Sequence, residues 1–219
     1  MQKTLAELAR AGLEKMIVFN ELEAGRLYSE KQLAMWLGLG RTPVREALQR
    51  LAHDRMVCIH PRRGIQVACL TMEDQLRILE VRRAIEGACV HHAAMRATEM
   101  QKRRMRTLGD GILEAARVDD DAEVLVYLRE IHETLVEATQ NFFFAQAMTP
   151  LLSLSRRFWF MNKEAEDSRN GALLYQRILL AVSEGDCHQA AQASRDLMDY
   201  LKFFAENRNR EEQAIMEEL

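Results

Sequence analysis

The chain has little that would tie it to a membrane, a disulfide framework or a zinc ribbon. Its four cysteines, Cys58, Cys69, Cys89 and Cys187, are scattered with no CxxC pair, which predicts reduced, mostly packed thiols. Apolar runs such as Ile178 to Val182 fall far short of the roughly 18 residues that a membrane span needs. Lys3, Glu7, Arg10 and Glu14 stand where a secretory signal would be apolar, so a cytoplasmic protein is expected. There is no fixed-period repeat and no low-complexity tract. No activated nucleophile, metal constellation or phosphate-cradling glycine loop stands out either, which argues against an enzyme.

With 48% hydrophobic residues in 219, the chain can bury one or two cores. Its net charge of -3 hides an asymmetry: residues 1 to 70 hold 11 Lys/Arg against 7 Asp/Glu, leaving 19 against 26 for the rest. A basic N-terminal unit joined to an acidic body suits a protein that places one end on phosphate. The boundary is expected near residue 70, giving domains 1–70 and 71–219.

Thr4 with Glu7 has capping-box spacing and opens a helix from 5 to about 18. Ser29 with Gln32 opens a short second helix whose Leu33, Ala34 and Leu37 face inward, and Gly38 is its expected left-handed stop. Thr42 is expected to cap a third helix with Pro43 at its first position, and Val44, Ala47, Leu48 and Leu51 form its buried stripe. Met56 to Ile59 and Ile65 to Val67, around Pro61-Arg62-Arg63-Gly64, predict a two-stranded wing with a basic tip. Thr71 with Asp74 marks another helix start. Beyond it the sequence predicts helices at about 73–97, 99–117, 119–139, 143–162, 169–184 and 186–208, with a polar tail that frays.

The expected fold is therefore mainly α: an N-terminal winged helix-turn-helix, three helices plus a two-stranded wing, followed by an all-helical bundle. In the third helix Arg41, Thr42 and Arg45 lie at or near the N-terminal end, off the apolar stripe. A helix N-terminus offers N–H groups and partial positive charge to phosphate while its first-turn side chains enter the major groove. Arg is the side chain whose fork matches guanine O6 and N7. Lys31, Arg62 and Arg63 flank this surface as expected backbone or minor-groove contacts.

Leu27-Tyr28-Ser29-Glu30-Lys31-Gln32-Leu33-Ala34, Leu37-Gly38, Arg41-Thr42-Pro43-Val44-Arg45-Glu46-Ala47-Leu48 and Arg62-Arg63-Gly64 resemble the winged helix-turn-helix of GntR-type transcription regulators. The resemblance implies that Lys31, Arg41, Thr42 and Arg45 bind double-stranded operator DNA and that Arg63 and Gly64 form the wing tip. Three positions depart from the family's habit: Gly40 replaces Ser or Thr, Lys31 a common Arg, and Arg55 a usual Gly. The second half resembles the FCD effector domain of the FadR branch, from about 73 to 208. Its signatures are Glu80-Val81-Arg82-Arg83-Ala84-Ile85-Glu86, Ile131-His132-Glu133-Thr134-Leu135 with Asn141, and Gly185-Asp186 with Ala190.

Arg82 shares an apolar stripe with Ile78, Ile85 and Cys89, and His132 shares one with Leu128, Leu135 and Val136. A buried guanidinium requires a carboxylate partner, either an Asp or Glu of the protein or a small-molecule carboxylate; the resemblance favours the ligand. It also implies a divalent metal held by one Asp and three His. Here His132 matches the first His while Leu128, Tyr175 and Leu197 stand at the other three places, so neither metal nor other cofactor is expected. His132 and Tyr175 are instead expected to hydrogen-bond an effector or each other. Phe142-Phe143-Phe144 and Phe158-Trp159-Phe160 are expected to pack in the core or a dimer.

The sequence thus predicts an effector-controlled, homodimeric transcription regulator, more often a repressor than an activator, with Arg82, His132 and Tyr175 at the effector. The alternatives are a DNA-bound structural protein without an effector and a helical enzyme using His132 and Tyr175 with Arg82.

Overall fold

The computed structural model describes the backbone of residues 4–217 and the side chains of residues 4–208. The chain divides into two compact units: residues 1–70 together with 156–161, and residues 71–155 together with 162–219.

The first unit begins with α1 (Leu5–Val18), which Thr4 and Glu7 cap reciprocally as expected. After β1 (Leu27–Tyr28) comes α2 (Glu30–Leu37), opened by the Ser29–Gln32 capping box and closed by Gly38 at φ 63°. Helix α3 (Arg41–His53) leads into β2 (Val57–His60) and β3 (Gly64–Val67). Ala9, Leu13 and Ile17 of α1, Leu33 of α2, and Val44, Ala47, Leu48 and Leu51 of α3 are buried together with Met56, Ile65 and Val67. Burial of such a shared apolar face, rather than helix propensity, is what stabilises elements this short. Arg10 of α1 donates to Asp54, the C-cap of α3, at 2.9 Å. Within the same unit Arg156 pairs with Glu14, Arg157 donates to the Ala68 carbonyl at 2.6 Å, and Phe160 meets Phe19 edge-on at 5.7 Å.

Two expectations about this unit are corrected. The wing is three-stranded, in the order β1-β3-β2, because Leu27 and Tyr28 pair with Gln66 and Ile65. The third helix starts one residue before Thr42, with Gly40 as its N-cap and Pro43 third in the helix. Proline costs nothing there either, since an N–H in the first turn has no intrahelical acceptor. Arg55 adopts φ 58°, the left-handed region that glycine enters without strain, and that accounts for the family's usual Gly at this position.

The second unit holds α4 (Met72–Arg96), α5 (Glu99–Arg117), α6 (Asp121–Ala138), most of α7 (Phe142–Asn162), α8 (Ala165–Glu184) and α9 (Cys187–Glu217). Helix α4 packs on α6, α8 and α9, and α5 on α6 and α8. Val90, Met105, Ile112, Ile131, Ile178, Leu179, Val182 and Leu197 fill the interior. Helix α8 starts four residues earlier than the sequence suggests, because Glu164 and Asp167 cap each other's backbone. Helix α9 continues to Glu217, into the tail that was expected to fray, and the last two residues of that tail lie outside the described residues.

The cysteines are less packed than expected. All four thiols are free, but Cys89 alone is buried, while Cys58 and Cys69 are exposed; burial pushes the Cys89 thiol up to about 12. Phe158, Trp159 and Phe160 are buried, whereas Phe142 and Phe143 are exposed. Among the described residues no helix is long and apolar enough to cross a membrane.

Candidate nucleic-acid interface and effector site

Helix α3 presents its first turn without a side-chain cap. Gly40 has no side chain to offer the helix's first N–H groups, and no side-chain cap hydrogen bond is made. Pro43 has no N–H and the Val44 amide donates to the Gly40 carbonyl, so the Arg41 and Thr42 amides are the donors this turn leaves for an anion, reinforced by the helix dipole. Arg41, Thr42 and Arg45 are all exposed around this end, while Val44, Ala47, Leu48 and Leu51 are buried. The amphipathic stripe thus does two jobs: it packs α3 and leaves these three side chains outward.

Arg45 is held in place by α2. Its Nε and Nη2 donate to Glu30 Oε2 at 3.1 and 2.9 Å, although the Arg45 side chain is 61% exposed. The hydrogen bond and the charge of Glu30 raise the Arg45 pKa. This contact brings the start of α2 beside the first turn of α3, and Lys31, next to Glu30, is likewise exposed. Sequence reasoning missed Glu30 as a partner, since the two residues lie fifteen apart across the turn between the helices.

The wing places Pro61, Arg62 and Arg63 in its exposed tip, with Arg62 at φ 64°. Gly64 starts β3 at φ 123°, and a Cβ there would stand 2.6 Å from the Tyr28 carbonyl oxygen. Its glycine is thus demanded by the close approach of β1. Any contact it makes with DNA comes on top of that packing requirement.

In the second unit Arg82 is buried on α4, and each nitrogen of its guanidinium has a partner. Nε and Nη2 donate to the two oxygens of Glu86 at 2.8 and 3.0 Å, and Nη1 donates to Ser155 Oγ at 2.8 Å. Ser155 also accepts from Gln75 Nε2 at 2.9 Å. Burial by itself would lower the Arg82 pKa, but Glu86 and Tyr175 outweigh it and raise it. Of the two partners that the sequence left open for this guanidinium, the structure shows the protein carboxylate, one helical turn away. That spacing was the readable signal, because residues four apart share a helix face.

His132 Nε2 and the Tyr175 hydroxyl lie 2.8 Å apart, both residues buried. Of the two alternatives expected for this pair, hydrogen bonding to each other is the one seen. At the other places where the resemblance implies metal ligands, Leu128 and Leu197 are buried apolar side chains. Among the described residues no group of three or more His, Cys, Asp or Glu side chains lies close enough to hold a metal ion. One imidazole and one phenol do not make a divalent-metal site, so the donor set present does not fit that ion.

Comparison with known proteins gives these two arrangements a common frame. Residues 5–67 match the model for bacterial regulatory proteins of the gntR family, and residues 77–200 match that for the FCD domain. The chain belongs to the GntR family, with an FCD domain. An uncharacterized HTH-type transcriptional regulator from the TAR-I ttuE-ttuC' intergenic region of Agrobacterium vitis is 33% identical over 122 residues, which cover 56% of this GntR chain and 60% of that relative. An Escherichia coli K12 protein provisionally named the L-lactate dehydrogenase operon regulatory protein is 27% identical, the match covering 93% of this chain and 86% of the relative. Among solved structures, McbR/YncC of Escherichia coli superposes with a TM-score of 0.75 at 18% identity, covering 95% of this chain and 100% of that one, and so shares its fold. The named relatives of this GntR chain are regulators rather than enzymes.

Proposed function

We propose that the protein is a DNA-binding transcription regulator whose operator affinity is set by a small molecule bound in its FCD domain. The observation that carries the reading is the uncapped first turn of α3, with Arg41, Thr42 and Arg45 outward and Glu30 holding the Arg45 fork. Lys31 and the wing arginine Arg63 add backbone contacts beside that turn, and Gly64 keeps the wing in register. One such head reads few base pairs, so a homodimer on a palindromic operator is the arrangement that multiplies discrimination. Repression is the expected outcome, by occupancy of the operator. An effector binding at Arg82, His132 and Tyr175 must prefer one placement of the heads over another in order to regulate. A carboxylate effector could take the Nε and Nη2 edge of Arg82 only by displacing Glu86.

In vitro selection from random double-stranded DNA with the full chain tests the reading. Enrichment of a two-fold symmetric sequence, lost in Arg45→Ala, is the expected result. Salt-steep binding with no enriched sequence would overturn it in favour of a structural DNA-coating protein.

A further inference from the structure

The effector reading of the second unit leaves open what kind of molecule the unit admits, and the buried cluster around Arg82 bears on this directly. A carboxylate binds a guanidinium best through two parallel N–H donors. On Arg82 the Nε and Nη2 edge is taken by Glu86, and Nη1 is taken by Ser155. Both members of the ion pair are buried, so the pair is neutral as a whole. A carboxylate entering beside this pair, whether or not it displaced Glu86, would add a second negative charge to a buried pair already neutral, which low-dielectric surroundings penalise heavily.

An uncharged molecule leaves the pair intact, and the cluster retains hydrogen-bonding capacity for one. Gln75 is 1% exposed; its Nε2 donates to Ser155, while its Oε1 is buried with no partner. A buried amide end without a partner is costly. An alcohol or a carboxamide carries both a donor and an acceptor, and so meets that end of Gln75 in either orientation of the amide.

We infer that Glu86 determines the effector class: it stands in for a carboxylate at the Arg82 fork, so that the site takes an uncharged alcohol or amide and rejects free carboxylates. The inference rests on the second unit being an effector site.

The test is calorimetry with the full chain and two matched pairs of probes, propionate against propionamide and lactate against lactamide. In the wild type each amide should bind measurably and more tightly than its acid; no binding of either amide, or equal binding of acid and amide, would overturn the inference. In Glu86→Gln, which keeps the shape and removes the charge, both acids should gain at least about ten-fold in affinity, the scale of one charge-assisted hydrogen bond. Acids binding the wild type more tightly than their amides would overturn the inference, and so would a folded Glu86→Gln protein that gains nothing. The wild-type comparison needs no variant, so it stands even if Glu86→Gln fails to fold. Operator binding of the ligand-free wild type is read separately. Its absence would sink the regulator reading and leave the acid-to-amide ratio to be judged alone.

Discussion

Arg45 in the first unit and Arg82 in the second each grip a glutamate through Nε and Nη2, at 3.1 and 2.9 Å in one case and 2.8 and 3.0 Å in the other. What differs is the solvent. The Arg45 side chain is 61% exposed and the Arg82 side chain 2%. Around Arg45, water screens the pair and can replace either member, so Glu30 orients the fork without committing it. If Arg45 reads DNA as proposed, its fork is open to exchange Glu30 for a phosphate or a guanine edge. Around Arg82 nothing can take the place of Glu86 except another buried group of the same charge. The same contact is therefore a loose rest for the proposed reading residue in one unit and a fixed part of the interior in the other.

Deleting one partner from each pair exposes that difference most strongly. Glu86→Ala should destabilise the protein by about 3–5 kcal/mol, because Arg82 is left as a buried charge without its counterion. Replacing both residues by apolar ones, Arg82→Met with Glu86→Leu, should recover most of the loss. Denaturant unfolding of the single and double variants checks both values; an additive double variant would break the contrast. Arg45→Ala should leave the unfolding midpoint where it was and weaken operator binding about ten- to a hundred-fold, with base preference relaxed at one position. A competition assay against scrambled DNA reads that outcome.

The contrast was only partly legible in the sequence. Capping boxes are local, so Thr4 with Glu7, Ser29 with Gln32 and Thr71 with Asp74 announced three helix starts that the structure shows. The amphipathic stripe of α3 likewise declared which side of that helix is buried and left Arg41, Thr42 and Arg45 on the other. What escaped was decided across distance or by backbone alone. Strand β1 exists because Leu27 and Tyr28 meet residues nearly forty places on. Residues 156–161 join the first unit, which a single cut in the sequence cannot register. Gly40 caps α3 by its extended backbone, with no side chain to signal it. In the cluster Arg82 was singled out, whereas its actual partner, Glu86, went unweighed although one turn away; Gln75 and Ser155 needed the packing of α4 on other helices to be seen.

Smaller changes sharpen the head's side of the comparison. Glu30→Gln removes the rest for Arg45 together with a negative charge beside the turn proposed to face phosphate. Non-specific DNA affinity should rise a few-fold at low salt and the gain should vanish at high salt, while the unfolding midpoint stays within about two degrees. Titrations at several salt concentrations distinguish this from a packing role, in which affinity would fall at every salt concentration.

The smallest expected effect tests whether the open first turn of α3 is itself part of the interface. Gly40→Ser supplies a hydroxyl that can accept from the Thr42 amide two residues on; Pro43, three residues on, has no N–H to donate. Stability should improve by only a few tenths of a kcal/mol, since glycine is already a tolerable N-cap. The substitution also satisfies a donor that would otherwise face phosphate, but the same hydroxyl can donate a hydrogen bond outward to that phosphate. If the bare amides make the contact, Gly40→Ser should bind DNA more weakly despite being slightly more stable. If the arginines alone make it, binding should hold or improve. A rise in stability with a fall in affinity would show that Gly40 was kept for the donors it leaves uncovered.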